Sequence, residues 1–218
     1  MLSRSSIAAS HAPTRRRASR GFTLIELAVA FTLLGILIAA GLPSFMAWIR
    51  NAQVRAVADS LQSGLRRAQT EAVRLNQTVV FYLTNAQPSA TALAPANASG
   101  KNWSIQSVTP SYVTDNTDPH WSSFLTGGVL ADVSSSVTIT NATAALCFNA
   151  NGRLIAPAAT GVPGAVCVAA PQRFDVEQPG RTLSSGDRRL RVLVAIGGQV
   201  RMCDPDRPAL SATTPDGC

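Results

Sequence analysis

Residues 20–43 read Arg20-GFTLIELAVAFTLLGILIAAGL-Pro43. From Phe22 to Ile49 the only ionisable side chain is Glu26. About 20 apolar residues cross a bilayer core as a helix, so this run is long enough to span one. Immediately ahead lies a polar leader with Arg4, Arg15, Arg16, Arg17 and Arg20 and no acid. A lone carboxylate such as Glu26 costs roughly 3 kcal/mol in hydrocarbon by insertion scales and usually marks function. Pro43 removes a helical hydrogen bond and crowds the preceding turn, and the nearby Gly41 adds freedom, so a bend is expected there. Trp48 suits a bilayer interface. A plain signal anchor would leave the placement of Glu26 unexplained. A secretory signal would require a small-residue cleavage site, for which Ala39-Ala40-Gly41 could serve.

The formal charge of +7 invites a nucleic-acid reading, but five of the 19 basic residues belong to the leader. Without them, 14 basic residues face 12 acidic ones. The basic excess therefore speaks of topology: positive residues ahead of a span stay on the cytoplasmic side. Cys147, Cys167, Cys203 and Cys218 all follow the span, in a compartment where disulfides persist. Four cysteines allow three pairings, and proximity in sequence favours Cys147–Cys167 and Cys203–Cys218. With no CxxC pair, zinc and redox readings are weak. His120 is the only histidine beyond the leader, and no Ser/His/Asp set, paired-histidine motif or phosphate-cradling loop is visible. We expect no enzyme, no metal and no cofactor.

Beyond Pro43 the helical pattern becomes one-sided. Val54, Val57, Leu61, Leu65, Ala68, Ala72 and Leu75 form one apolar stripe, with Arg67 and Glu71 spaced to pair. The helix is expected to end near Asn76. Strands are expected at residues 78–84, 103–108, 129–130, 137–140, 145–149, 153–155, 165–169, 173–176, 189–196 and 199–203, with loops at 85–101 and 109–122. Asn151-Gly152 and Gly197-Gly198 mark hairpin turns. The tail after Cys203 is irregular, and a bond to Cys218 would tie it down.

The leader, Gly21-Phe22, FTLIEL and the apolar helix together resemble the class III signal of type IV pilins and pseudopilins. The resemblance implies that a prepilin peptidase cuts after Gly21 and that Phe22 becomes the N-methylated first residue. It also implies that Glu26 and Pro43 are the family's assembly glutamate and bending proline. The run Leu65-Arg66-Arg67-Ala68-Gln69-Thr70-Glu71-Ala72-Val73-Arg74 resembles the FimT/GspH type of minor pilin, with Gln69 where arginine is usual. The segments 147–153 and 199–205 resemble that family's mid-domain hairpin and C-terminal end.

The fold expected is α+β and pilin-like: a long N-terminal helix, transmembrane in its first half, packed on antiparallel β-sheet, in two small sheets. Residues 1–21 would be leader, 22–49 the membrane and assembly half, and 50–218 a periplasmic domain. Such a subunit starts in the bacterial inner membrane as a single-pass protein and moves into a filament. Its partners would be other pilin or pseudopilin subunits. The filament would be a type IV pilus or, alternatively, the pseudopilus of a type II secretion system. Some FimT-type pilins bind DNA through a Gly-Arg-x-Arg motif. Here Gly198-Gln199-Val200-Arg201 lacks the first arginine, but Arg188, Arg189 and Arg191 lie on the adjoining strand. With Arg201 they form a candidate surface for non-specific contact with double-stranded DNA.

Overall fold

The structure, a computed structural model, describes residues 21–108, 124–141, 143–181, 186–209 and 211–218. The chain divides into two units, Met1–Pro43 and Ser44–Cys218. His120 and the expected loop at 109–122 lie outside the described residues.

One helix, α1 (Leu24–Leu75), accounts for 52 residues and continues through Gly41 and Pro43. In the first unit every described residue is exposed, including Phe22, Phe31 and Leu37. The most apolar 18-residue window of α1 has mean hydropathy 2.3 and none of it is buried. By length and composition this helix can cross a membrane.

In the second unit α1 is amphipathic as its spacing requires. Val54, Val57, Ala58, Leu61, Gly64, Leu65, Ala68 and Ala72 are buried, and Leu75 packs at the margin of the same core. The helix stops at a left-handed residue, Asn76, with φ 51°. The Gln77 N–H donates to the Ala72 carbonyl and the Asn76 N–H to the Val73 carbonyl, each at 3.2 Å. This paired closure caps the last carbonyls and turns the chain into the first strand.

Two antiparallel sheets receive the helix. The first comprises β1 (Val79–Thr84), β2 (Asn102–Ser107), β3 (Phe124–Val129), β5 (Ala145–Phe148) and β6 (Leu154–Ile155), in the order β3-β2-β1-β5-β6. The second comprises β4 (Thr138–Asn141), β7 (Gln172–Glu177), β8 (Leu190–Val194) and β9 (Val200–Cys203), in the order β4-β7-β8-β9. Both contribute to one core under the helix: Phe81, Leu83, Ile105, Leu146 and Phe148 from one sheet, Phe174, Val176, Val192 and Val194 from the other. The fold is thus α+β, with the long helix packed on two antiparallel sheets.

Three expectations need correction. The strand expected at 129–130 is the end of β3, and Leu130–Asp132 is a 3-10 turn. The Leu130 N–H reaches the Lys101 carbonyl, while the N–H groups of Val133 and Ser134 return to the Leu130 carbonyl, so the ladder cannot continue. Residues 165–169 form no strand; they belong to a loop tied by Cys167 to Cys147. That loop covers the other face of the first sheet, where Val162 and Cys167 close a second small core over Val80, Tyr82 and Ala145. Finally, Glu71 pairs with Arg74 at 2.6 Å, three residues along, and not with Arg67.

Candidate assembly and recognition sites

At the N-terminus, Thr23 stands one residue before α1 and its Oγ1 accepts the Glu26 N–H at 3.3 Å. A threonine followed three residues later by a glutamate is the sequence form of a capping box, a signal that the reading of Glu26 as an assembly residue passed over. The acid also complements the positive end of the helix dipole. Gly21, Phe22 and Glu26 are all exposed, as is Pro43 inside the helix.

The β8–β9 hairpin brings the candidate arginines onto neighbouring segments. Its register pairs Arg191 with Cys203 and Leu193 with Arg201, while Val192, Val194 and Val200 point into the core. Arg191 and Arg201 therefore share the outer face. Acids have claimed part of this set. Arg191 forms a two-point pair with Asp175, at 2.6 Å through Nε and 3.0 Å through Nη2. Hydrogen bonding to Asp175 raises the Arg191 pKa above its ordinary value, against the opposing effect of burial. Arg189 pairs with Asp206 at 3.1 Å, and Arg181 pairs with the other oxygen of the same carboxylate. For Arg188 and Arg201, no carboxylate lies within 4.0 Å among the described residues.

Arg173 is a cation that sequence reasoning missed. The register Arg173–Leu193–Arg201 sets two exposed arginines on either side of Leu193. Only strand order could have revealed this, because 28 positions separate the two in sequence.

The turn itself is fixed by close approach. Gly198 has φ +88°, and a Cβ there would lie 1.9 Å from the Gly152 carbonyl oxygen. Gln69 of α1 donates to that same oxygen at 3.0 Å. Arg66 donates to the Val200 carbonyl at 3.2 Å, and the Leu154 N–H to the Ile196 carbonyl at 2.9 Å. Helix, first hairpin and second hairpin are thereby stapled together, and the short Gln69 leaves room for the two turns to meet.

The tail returns along β9. Asp204 and Gly217 form a parallel bridge, and the Asp204 N–H donates to the Asp216 carbonyl. Cys203 is bonded to Cys218, as Cys147 is to Cys167. Among the described residues no cluster of His, Cys, Asp or Glu is arranged to hold a metal.

An exposed apolar helix preceded in sequence by a basic segment, and a helix docked on two antiparallel sheets, define a pilin-type subunit. The profile of the prokaryotic N-terminal methylation motif matches residues 16–42, spanning the Gly21-Phe22 junction. The profile of the family described as type II transport protein GspH matches residues 57–198. The chain belongs to this GspH family, within the type IV pilin and pseudopilin superfamily. No curated protein matches it. Among solved structures, the type IV minor pilin FimU of Pseudomonas aeruginosa is similar in two crystal forms. The TM-scores are 0.46 and 0.48 at 17% identity, covering 72% and 73% of this chain and 98% and 95% of FimU. The minor pseudopilin EpsH from the type 2 secretion system of Vibrio cholerae matches with TM-score 0.42 and 10% identity, covering 71% of this chain and 99% of EpsH.

Proposed function

We propose that the chain is a minor subunit of a type IV pilus, made with a leader of residues 1–21 and cut by a prepilin peptidase after Gly21. Phe22 is then N-methylated, and the domain from residue 50 onward sits in the periplasm. The observation that carries the filament reading is the change of character along α1: exposed and apolar before Pro43, buried on one stripe after Val54. Apolar surface of that extent is kept from water either by lipid or by other helices of its kind. Moving from the first to the second is the step that places the subunit in a filament. Pro43 is the point at which the helix yields during that packing. The second reading, a subunit of a type II secretion pseudopilus, is favoured by the family's description as a type II transport protein. Deleting the gene and measuring sheared surface pili beside secreted exoproteins separates the two. Loss of pili with normal secretion supports the pilus; loss of secretion with normal pili supports the pseudopilus.

DNA binding is the additional role that the arginines allow. Arg188 and Arg201 supply the free charge, while Arg189 and Arg191 are already occupied by Asp206 and Asp175. Phosphate contacts of this kind are independent of sequence and weaken with salt. Titrating labelled duplex with the detergent-solubilised full chain should give binding that falls as salt rises. Arg201→Ala should weaken it by a few-fold, the size of one exposed charge contact, and Arg191→Ala should weaken it less. No binding at low salt leaves the structural filament role alone.

A further inference from the structure

A groove of about 680 Å³ lies within the Ser44–Cys218 unit, between the helix and the C-terminal tail. Trp48, Val54, Leu190 and Met202 supply its apolar lining. Arg55 and Arg188 supply cations, and Asp204 and Asp216 supply carboxylates. Few of these charges cancel one another. The Arg188 backbone N–H is held by Asn51 Oδ1 at 2.8 Å, which fixes the residue against the helix and leaves its guanidinium exposed. Arg55 has Asp59 only at 3.9 Å, the outer limit of an ion pair. Asp204 is satisfied internally, by the Asp206 N–H and by Arg207 at 3.7 Å. Asp216 receives Arg207 on Oδ1 at 3.1 Å, and its Oδ2 has no partner among the described residues. The groove thus offers two guanidiniums, one half-used carboxylate and an apolar wall that begins at Trp48.

We propose that this groove holds the headgroup of a phosphatidylethanolamine molecule, with the phosphate on Arg188 and Arg55 and the ammonium on Asp216. The proposal rests on the reading of the chain as membrane-anchored. Charge complementarity selects the ligand. An anionic glycerol headgroup would satisfy the arginines but offer Asp216 only neutral hydroxyl donors, without the positive charge that makes a hydrogen bond to a carboxylate strong. A choline headgroup carries the positive charge without an N–H to donate to the free carboxylate oxygen. Trp48 is 66% exposed and stands one residue before the apolar run closes at Ile49. Tryptophan favours the headgroup level of a bilayer, so the sequence puts the start of the groove where such a lipid is available. In the anchored state the lipid would brace the tail against the helix, and leaving the membrane would require giving it up.

The full chain, extracted in mild detergent and offered ethanolamine, choline and glycerol phospholipids with the same acyl chains, can be measured by native mass spectrometry. We expect the ethanolamine lipid to be retained over the other two. Arg188→Ala should reduce its retention about tenfold, the loss of one charge-assisted contact, and Arg188→Lys should restore part of it. Excess inorganic phosphate should leave the adduct in place. Equal retention of all three lipids, preference for the glycerol lipid, an unchanged adduct in Arg188→Ala, or displacement by phosphate would each overturn the site. Membrane fractionation of the same chain tests the anchor separately. Recovery in membranes without an ethanolamine preference would refute the lipid site and leave the anchor standing.

Discussion

Glu26→Ala should insert into the membrane at the wild-type level and be depleted about tenfold or more from sheared filaments. The two halves of this expectation have different causes. In lipid the carboxylate is a burden of roughly 3 kcal/mol, so its removal eases insertion. In the filament we propose, the same acid would be met by the positive amine of a neighbouring Phe22, and that pairing would set the register between subunits. Breaking one side of a buried pair costs about 3–5 kcal/mol, which is far more than a tenfold change in incorporation requires. The capping contact between Thr23 and the Glu26 N–H uses the backbone and survives the substitution. A local loss of helix is therefore not expected to mimic the assembly defect. Quantifying the subunit in membranes and in sheared filaments checks both halves. Normal filament content would remove the register role of Glu26.

Trp103→Ala should lower the unfolding free energy by about 3–5 kcal/mol, the range for truncating a large buried aromatic. Trp103 is 8% exposed and stacks on Phe81 with ring centroids 5.8 Å apart. Its ring fills a slot between the helix and β3. A Cβ on Gly64 would come within 2.9 Å of the indole, and one on Gly128 within 2.5 Å. These two glycines are small so that the indole can fit, and removing it leaves a cavity that the backbone on either side cannot easily close. Denaturant titration followed by far-ultraviolet circular dichroism measures the loss. A change below about 1 kcal/mol would mean that the slot collapses or that the ring is not packed there.

Gly128 and its neighbour Gly127 explain one thing that the sequence hid. Gly127-Gly128 looks like a turn, yet both sit inside β3, because Pro88 and Trp103 occupy the space that their side chains would take. The helix stripe from Val54 to Ala72 was legible because a period of 3.6 residues survives in a helix docked on one side. Asn151-Gly152 and Gly197-Gly198 were legible because turns carry their own chemistry. Other features depend on partners distant in sequence. Arg173 joins Arg201 only across β8. Asp206 gathers Arg181 and Arg189 because the chain leaving β9 runs on beside the entry to β8. The loop at 165–169 shows β-like composition, but Cys167 is bonded to Cys147 and sits with Ala165 at the second small core, while Val166 and Val168 are left exposed. At the N-terminus, the motif around Gly21, Phe22 and Glu26 is local, because a basic segment, a glycine and an apolar helix are contiguous in the chain.

Intact-mass spectrometry of the protein extracted from its native membrane bears most directly on the pilin-type reading. A chain beginning at Phe22 and one methyl group heavier is expected, with residues 1–21 gone. A chain beginning at Met1, or cut near Gly41, would contradict it.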